Sequence, residues 1–418
     1  KKINDHIEEI CLKANNAAKT LSYADTSSKD DALEKIAKHI NIDRKSILDA
    51  NIIDMNMAKN NKVSSALLDR LLLNENRIDD IIKGLKNVIR LQDPIGSEIK
   101  RWKPQNGIDM SQTRVPIGVI GIIYESRPNV TVDASALALK SGNSIILRSG
   151  SESFYSSAAL VKSIKNGLKE SKISKDCVQI VNTTNRDAVG LLLQMNKYVN
   201  LIIPRGGKSL IERVQIDSKI PVLSHLDGLC HTYIDAEADK EMSLNIILNA
   251  KMRRTGICGA TETVLCHKNV INTILPEVIN KLLELGCEIR GDKNIQSLNK
   301  NIKTATIEDW KTEYLDKIIS IKTVKNVSEA INHIELFGSN HTDAIITDNK
   351  STAEIFLKEV NSAIVLHNAS TQYADGGEFG MGAEMGIATG KLHARGPVGL
   401  EQLNTYKYQL RGNGQVRP

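Results

Sequence analysis

The chain has 418 residues, of which 41% are hydrophobic and 25% are charged, and its 55 basic and 49 acidic side chains give a net charge of +6. This length predicts two or three domains, and the composition excludes a wholly disordered protein. The mild positive charge neither requires nor excludes nucleic acid, and no apolar run approaches the roughly 18 residues that a membrane-spanning helix needs.

Cysteine usage and the amino-terminal residues favour a reducing compartment. Six cysteines without a CxxC pair are not typical of a disulfide framework. The first residues also lack the apolar core of a signal peptide. We therefore expect a cytoplasmic protein that has no membrane partner.

The first ninety residues predict helices, because apolar residues recur at helical spacing with few turn residues between them. A turn at residues 93–96 ends this section, and the polar residues 97–114 predict an exposed hairpin arm. The apolar run 115–124 then predicts the first of four strands that alternate with helices. The other three strands are predicted at 144–147, 178–181 and 199–203. Such alternation is typical of a parallel sheet covered on both faces.

A second alternating set begins near Pro221. It predicts strands at 231–234, 263–266, 318–324 and 344–346, with helices between them. Residues 375–399 are rich in glycine, which predicts loops, and residues 403–410 predict a lone strand. The sequence therefore predicts an α/β protein built from two alternating sets.

Cys258 carries the strongest chemical signal. Arg253 and Arg254 precede it and glycines flank it on both sides. Cationic neighbours raise the thiolate fraction of a cysteine, and flanking glycines leave backbone N–H groups open to stabilise an oxyanion. The alternative is a small buried hydrophobic residue, an interpretation that suits Cys11 and Cys177. One of the two arginines could also pair with a carboxylate of the core.

Two strand ends in the first alternating set suggest contacts to a cofactor. Arg205, Gly206 and Gly207 follow the fourth strand, but they form no Walker loop, because Ile202 stands where that motif needs glycine. A glycine turn that opens a helix still suits a phosphate or a nicotinamide, and the alternative is an ordinary βα turn.

The second strand end is the segment from Arg148 to Glu152. An arginine at the carboxyl edge of a parallel sheet could hold an adenosine 2′-phosphate, and the alternative is a solvated turn with an N-capping serine. The glycines at 380–386 do not form a GxGxxG fingerprint, since their spacing is wrong and no strand precedes them. Any dinucleotide site is therefore unorthodox.

Histidines suggest a metal only superficially. The spacing of His225 and His231 matches no standard zinc pattern, and no carboxylate or thiol cluster completes a ligand set. The sequence therefore predicts no metal site, and these histidines are expected to be structural or to line the substrate. For Asp227 and Asp343 the sequence leaves two interpretations open: a contact to the substrate or a position on the surface.

Several longer segments are more specific than any of these motifs, and they lie between residues 115 and 408. They are residues 115–121, 125–131, 204–207, 225–233, 255–258, 338–344, 378–384 and 391–397. Together they resemble the γ-glutamyl phosphate reductase family (glutamate-5-semialdehyde dehydrogenases) of the aldehyde dehydrogenase superfamily.

The resemblance implies an aldehyde dehydrogenase-like α/β fold. A Rossmann-like NADP(H)-binding domain would comprise residues 1–96 and 116–224. An α/β catalytic domain with the nucleophilic cysteine would comprise 225–390. A small β oligomerisation arm would comprise 97–115 and 397–418, which implies a homo-oligomer.

The resemblance also implies an activity: the NADPH-dependent reduction of L-glutamyl 5-phosphate to L-glutamate 5-semialdehyde and phosphate, the second step of proline biosynthesis. Cys258 would be the nucleophile, and its thiolate would form a thioester that accepts hydride. His225 stands where hydrolytic aldehyde dehydrogenases have a glutamate base. Loss of that base would protect the thioester from water.

The remaining expected site residues and partners combine this resemblance with the strand ends and cationic neighbours described above. Expected substrate or phosphate contacts are Ser126, Arg127, Asn129, His225, Asp227, Arg253 and Arg254. Expected contacts to NADPH/NADP⁺ are Arg148, Ser149, Ser151, Glu152, Arg205, Gly206 and Gly207. Glutamate 5-kinase is an expected partner, as the donor of the labile substrate.

Two alternative functions stay open at this point. One is a hydrolytic NAD(P)-dependent aldehyde dehydrogenase that acts on another aldehyde, from which dependence on phosphate would separate the chain. The other is a basic RNA-binding protein, for which the sequence offers little aromatic interleaving and no recognised module.

Overall fold

The computed structural model describes residues 2–418, and they form two compact units. Unit 1 comprises the chain up to Ser224 together with Gly380–Gly386 and Val398–Pro418, and unit 2 comprises His225–Phe379 and Ile387–Pro397. Residues 380–386 therefore belong to unit 1, whereas the sequence assigned them to the segment 225–390. None of the helices within 2–418 combines the length and the apolar character needed to cross a lipid bilayer.

Helices open unit 1, as the sequence predicts. They are α1 (Lys2–Leu21), α2 (Thr26–Ile42), α3 (Arg44–Asn60), α4 (Ser65–Leu71) and α5 (Glu75–Arg90). Asp25, Ser64 and Asn74 are the N-cap residues directly before α2, α4 and α5. Each of their side chains accepts a hydrogen bond from a backbone N–H of the first helical turn. Ile7 and Ile10 of α1 are buried in one cluster with residues of the parallel sheet described below.

An antiparallel sheet contains the predicted arm. Its strands are β1 (Glu98–Trp102), β2 (Asp109–Pro116) and β16 (Asn404–Arg411), with β2 in the middle. The prediction of a lone strand at 403–410 is therefore wrong, because β16 pairs along the whole of β2. The predicted run 115–124 is also split. Its first residues end β2, and Gly118, with φ +129°, turns the chain into the next strand.

A four-stranded parallel sheet forms the centre of unit 1. Its strands are β3 (Val119–Tyr124), β4 (Ser144–Ser149), β5 (Val178–Ile180) and β6 (Leu201–Arg205), in the spatial order β5-β4-β3-β6. The accompanying helices are α6 (Val130–Lys140), α7 (Phe154–Lys169), α8 (Asp187–Leu193) and α9 (Lys208–Asp217). Because the strands are parallel, the residues that follow β3, β4 and β6 meet at one edge of the sheet.

Unit 2 contains a seven-stranded parallel sheet in the order β10-β9-β11-β8-β7-β12-β13. The strands are β7 (Cys230–Ile234), β8 (Thr261–His267), β9 (Glu288–Gly291), β10 (Lys303–Thr304), β11 (Ile318–Val324), β12 (Thr342–Ile346) and β13 (Ile364–His367). The helices are α10 (Lys240–Met252), α11 (Ile271–Glu284), α12 (Lys293–Gln296), α13 (Val327–Phe337) and α14 (Lys350–Glu359), and β14 (Ile387–Ala388) pairs with β15 (Gly396–Pro397).

The four strands of unit 2 that the sequence predicted are β7, β8, β11 and β12. These are interior strands of the sheet, and each carries buried apolar side chains next to polar ones such as His231 and Glu262. Along β8, Val264 and Cys266 pack on one face of the sheet, and Leu265 packs on the other. The strands that the sequence missed are short, and the two residues of β10 are exposed.

A buried polar pair, His231 and Asp343, joins β7 to β12. Asp343 is 1% exposed, and its Oδ1 accepts hydrogen bonds from His231 Nδ1 at 2.8 Å and from the His231 backbone N at 3.0 Å. Asp343 is thus a core residue, and both sequence-based alternatives for it are wrong. The ring of His333 packs against His231 with the centroids 5.4 Å apart. Burial, with His231 and Lys322 adding to it, lowers the pKa of His333 to about 2.

The contact between α2 and α7 generates a first prediction. A Cβ atom at Gly167 would lie 2.6 Å from the backbone N of Ile36 and 2.7 Å from its Cα, and main-chain atoms cannot rotate away. We expect Gly167→Ala to destabilise the full chain by about 1–3 kcal/mol, as measured by thermal unfolding. Gly84→Ala in α5 is the matched control, because the nearest atom to its Cβ, Asp133 Oδ1, is 3.6 Å away. This control should stabilise the chain by about 0.4–1 kcal/mol, and equal stabilisation by both variants would contradict the close approach.

His333 generates a second prediction, on the pH dependence of stability. Its pKa of about 2 in the folded chain lies below the ordinary value of 6.5. As the pH falls below about 6.5, the unfolded chain therefore takes up a proton that the folded chain refuses, and stability is lost. We expect His333→Phe to reduce the loss of unfolding free energy between about pH 6 and about pH 4 by up to roughly 2.7 kcal/mol.

The matched control for this experiment is Phe337→Leu, since the Phe337 ring lies 4.7 Å from that of His333. It disturbs the same packing without removing a titrating group, so its stability should change by the same amount at every pH. An unchanged slope in His333→Phe would show that His333 is protonated in the folded protein over this range.

Candidate active site

Cys258 lies in the loop between α10 and β8, in unit 2. Its side chain is half-buried and packs against a small apolar cluster formed by Ile364, Ala374 and Ile387. The loop is a tight turn, because the backbone N of Ala260 donates to the carbonyl of Ile257 at 3.1 Å. The thiol is therefore held at the surface of unit 2 by an apolar support.

Gly228 sets the position of the Cys258 backbone. A Cβ atom at residue 228 would lie 2.3 Å from the Cys258 carbonyl oxygen and 2.6 Å from its Cα. The thiol of Cys230, at the start of β7, donates to that same carbonyl oxygen at 3.1 Å. The approach to β7 and the nucleophile loop therefore pack main chain against main chain, which only glycine permits.

Gln372 holds the same loop from the other side, and the sequence did not suggest it. Its Nε2 donates to the carbonyl of Ala250 at 2.9 Å and to that of Arg254 at 3.0 Å. Its Oε1 accepts a hydrogen bond from Arg253 Nη1 at 3.3 Å. Gln372 thus satisfies carbonyls at the end of α10 and connects them to the segment that leads to Cys258.

Two imidazoles lie beside Cys258. One ring nitrogen of His225, one of His341 and the Cys258 Sγ all lie within 4.8 Å of one another. His225 Nδ1 donates to the carbonyl of Ile387 at 2.7 Å, so that its Nε2 is the nitrogen that carries the lone pair. His341 is fully buried, and its Nδ1 lies 2.7 Å from Thr342 Oγ1. Burial, to which His225 adds, lowers the pKa of His341 to about 3, so this imidazole is neutral at neutral pH.

Sheet topology explains why these residues meet. Cys258 precedes β8, His225 precedes β7, and His341 immediately precedes β12. These strands are neighbours in the order β8-β7-β12, so their amino ends lie at the same edge of the sheet. His341 lay in one of the segments that carried the family resemblance, but no spacing rule marks a residue that reaches a site through strand order.

The other predicted site residues of unit 2 lie next to His225 and Cys258 in the sequence. Arg253 and Arg254 are exposed, and Asp227 is half-buried. The suggestion that one of the arginines pairs with a core carboxylate is wrong, because Lys251 does so. Its Nζ lies 3.0 Å from Glu262 Oε2, and both side chains are fully buried.

The predicted cofactor residues lie in unit 1, at the carboxyl ends of β4 and β6. Arg205 ends β6, and Gly206 and Gly207 are exposed before α9. The backbone N of Gly207 donates to Glu125 Oε2, at the end of β3, at 3.0 Å. A Cβ atom on Gly206 would lie 2.5 Å from the same oxygen. Glu125 therefore fixes this glycine turn, a role that its sequence position did not reveal.

Arg148 is the penultimate residue of β4 and is buried, 7% exposed. Its guanidinium donates to the backbone carbonyls of Ser149 and Thr184, and its Nε is buried without a hydrogen-bond partner. Ser151 is exposed, and the short helical turn that it begins has no side-chain cap. The alternative of a solvated turn with an N-capping serine is therefore wrong.

Ser126 connects the predicted substrate residues of unit 1 to the cofactor residues. Its φ is +53°, and its backbone N and Oγ donate to Glu152 Oε1 at 2.7 and 2.9 Å. Asn129 Nδ2 donates to Asp133 Oδ2 at 3.0 Å, and burial raises the pKa of Asp133 to about 6. Arg127, between Ser126 and Asn129, is half-buried. The structure therefore brings Ser126 and Glu152 together in unit 1.

Comparison with known proteins agrees with the resemblance seen in the sequence. The model of the aldehyde dehydrogenase family matches residues 2–310. A gamma-glutamyl phosphate reductase from Paramagnetospirillum magneticum is 53% identical over 410 residues, which cover 98% of this chain and 97% of the relative. The crystal structure of a gamma-glutamyl phosphate reductase from Thermotoga maritima has a TM-score of 0.97 at 44% identity and covers 99% of this chain and 100% of that one.

A more distant neighbour shows the fold alone. An engineered glycolyl-CoA reductase with bound NADP⁺ has a TM-score of 0.68 at 15% identity, with 96% of each chain covered. The full-length matches at 44% identity and above are far more specific, and they confirm both the predicted family and the predicted fold. The chain therefore belongs to the aldehyde dehydrogenase family and, within it, to the gamma-glutamyl phosphate reductases.

Proposed function

We propose that this chain reduces L-glutamyl 5-phosphate to L-glutamate 5-semialdehyde and phosphate, the second step of proline biosynthesis, through a thioester on Cys258. The single observation that carries the proposal is the half-buried Cys258 thiol, held beside two imidazoles in a chain of this family. The names of its relatives support the substrate, since the match extends over almost the whole length of both chains.

The chemistry follows from the residues of unit 2. The Cys258 thiolate attacks the carbonyl carbon of the acyl phosphate, the C–O bond to phosphate breaks, and a thioester and inorganic phosphate result. When bound, a nicotinamide cofactor would supply the hydride that the thioester carbonyl accepts. The C–S bond then breaks, which releases the aldehyde and restores the thiolate.

The environment of Cys258 suits a thioester that must not hydrolyse. Hydrolytic aldehyde dehydrogenases use a glutamate base to activate water against the thioester, and here the imidazole of His225 lies beside Sγ where that carboxylate is expected. Phosphate, the nucleophile of the reverse reaction, is already an anion and needs positioning by cations more than deprotonation. Arg253 and Arg254 are exposed close to Cys258 in sequence, and we assign them to the phosphate or the substrate carboxylate, with Asp227 as a further substrate contact.

In unit 1 the strand ends fit a nicotinamide dinucleotide. Gly206 and Gly207 offer exposed backbone next to the start of α9, where backbone N–H groups would stabilise a phosphate that replaces the Glu125 carboxylate at the Gly207 N–H. Arg148 would supply charge for an adenosine 2′-phosphate, and NADPH is accordingly the proposed cofactor. The remaining proposed contacts are Ser149, Ser151, Glu152 and Arg205 for the cofactor, and Ser126, Arg127 and Asn129 for the substrate.

The arm formed by β1, β2 and β16 supports a homo-oligomer. Its large apolar side chains are exposed, among them Ile99 at 43%, Tyr408 at 55% and Leu410 at 57%. Apolar side chains clustered on one small sheet are typical of surfaces that pair with another chain. We further propose that glutamate 5-kinase delivers the labile acyl phosphate and that the reaction takes place in the cytoplasm.

A third prediction concerns phosphate. Run in reverse, the enzyme should reduce NADP⁺ with glutamate semialdehyde only when phosphate or arsenate is present, because the thioester waits for an anionic nucleophile. NADPH formation, followed by absorbance in phosphate-free buffer and after addition of phosphate, measures this dependence. Robust turnover without phosphate would contradict the proposal and support a hydrolytic aldehyde dehydrogenase that acts on another aldehyde.

Three variants, one of them a control, sharpen that experiment. Cys258→Ala should lower the turnover rate by several orders of magnitude, since no other group can form the thioester. Cys11→Ala, which removes a fully buried thiol of α1, is the control and should stay within about tenfold of the unmodified protein. His225→Glu should add a slow turnover that no longer needs phosphate, because a carboxylate beside Sγ can activate water.

A fourth prediction concerns cofactor choice. Arg148→Ala should lower the ratio of the efficiency with NADPH to that with NADH by roughly tenfold or more, because a charge-assisted contact to the 2′-phosphate is lost. Steady-state kcat/KM for each cofactor measures the ratio. Arg186→Ala, which removes an exposed cation of the same unit, is the control and should leave the ratio unchanged. An unaltered ratio in Arg148→Ala would show that its guanidinium serves only the carbonyls of Ser149 and Thr184.

A further inference from the structure

We propose that His225, Cys258 and His341 form a binding site for Zn²⁺, and that zinc bound there reversibly blocks the nucleophile. The three donor atoms lie within 4.8 Å of one another at the amino edge of the unit 2 sheet. This site adds to the proposed reaction, which needs no metal. It also differs from the expectation drawn from the sequence, where the spacing of the histidines matched no zinc pattern.

The donor set suits zinc by its chemistry. Zn²⁺ binds thiolate and imidazole, with Zn–S near 2.3 Å and Zn–N near 2.0–2.1 Å, and sites with three protein ligands keep a fourth position open for water. Tetrahedral geometry with these bond lengths places the donors roughly 3.5 Å apart. Side-chain rotations that move the donor atoms of the half-buried Cys258 and His225 by roughly 1 Å would therefore bring the three donors to bonding distance from one ion.

The second ring nitrogen of each histidine is already held. His225 Nδ1 donates to the carbonyl of Ile387 at 2.7 Å, which directs its Nε2 lone pair away from the backbone. His341 Nδ1 lies 2.7 Å from Thr342 Oγ1, and a proton on Nδ1 leaves the lone pair on Nε2. Hydrogen bonds of this kind orient the histidines that bind metals in proteins.

His341 provides an independent observation that points to a ligand. Its side chain is fully buried, and its Nε2 has no hydrogen-bond partner. A buried polar atom without a partner is costly, and this one belongs to the imidazole that lies beside the Cys258 thiol. An ion bonded to Nε2 would satisfy it.

Zinc at this site would act on the reaction through Cys258. The thiol loses its proton to solvent as the Zn–S bond forms, and the sulfur lone pair is then no longer available to attack an acyl phosphate. No atom is oxidised or reduced in this step. A chelator that removes the ion restores the thiol, so that the inhibition is reversible.

The experiment uses the full chain and zinc chloride. Calorimetric titration should show one Zn²⁺ bound per chain, and zinc should protect Cys258 from alkylation by iodoacetamide until EDTA is added. Co²⁺ should produce the thiolate-to-cobalt charge-transfer band, which Cys258→Ser should abolish. His225→Gln and His341→Gln should each weaken zinc binding by roughly 100-fold, since loss of a ligand costs at least as much as loss of its supporting hydrogen bond.

The matched control is His39→Gln, which removes an imidazole that contacts Glu170 in unit 1. It should bind zinc as the unmodified chain does. Melting temperatures show which variants fold, and if His341→Gln does not, the half-buried His225 carries the test. Zinc affinity that is unchanged in His225→Gln would overturn the proposal, as would a cobalt spectrum without a thiolate band.

Discussion

The contact between Gly228 and the backbone of Cys258 is the constraint on which the site depends. The space for a Cβ atom at residue 228 is already occupied by the main chain of Cys258. That contact joins the approach to β7 to the loop before β8, and the Cys230 thiol, which donates to the same carbonyl, reinforces it. Because backbone packs on backbone here, the main chain from which the Cys258 thiol projects is held in place by the sheet.

A buried ion pair connects the two elements that flank the loop of Cys258. Lys251, in the last turn of α10, pairs with Glu262 on β8, and the Glu262 carboxylate also accepts a hydrogen bond from the backbone N of Tyr314 at 3.0 Å. Burial raises the pKa of Glu262, and Lys251 opposes that rise. Removal of one partner would leave an unpaired buried charge, which is costly. The pair therefore holds α10 and β8, the elements on either side of Cys258, in one relative position.

The two units rest on the same parallel-sheet architecture but use opposite edges of it. In unit 1 the candidate cofactor residues lie at the carboxyl ends of β4 and β6, at the edge where ligands of such sheets usually bind. In unit 2 the nucleophile and both imidazoles precede their strands, at the amino edge. Carboxylates hold the loops of unit 1, since Glu125 accepts from Gly207 and Glu152 accepts from Ser126.

The family, the α/β class, the central strands of both sheets and the importance of Cys258 could all be predicted from the sequence. Those features are local, because buried parallel strands are short segments rich in apolar residues and the cysteine stands among glycines and cations. Only the tertiary structure decided that β16 pairs with β2, that Asp343 is a core partner of His231, and that His341 lies beside Cys258. Each of these depends on which strands are neighbours. Strand order is set by packing between residues far apart in the chain, which no local pattern contains.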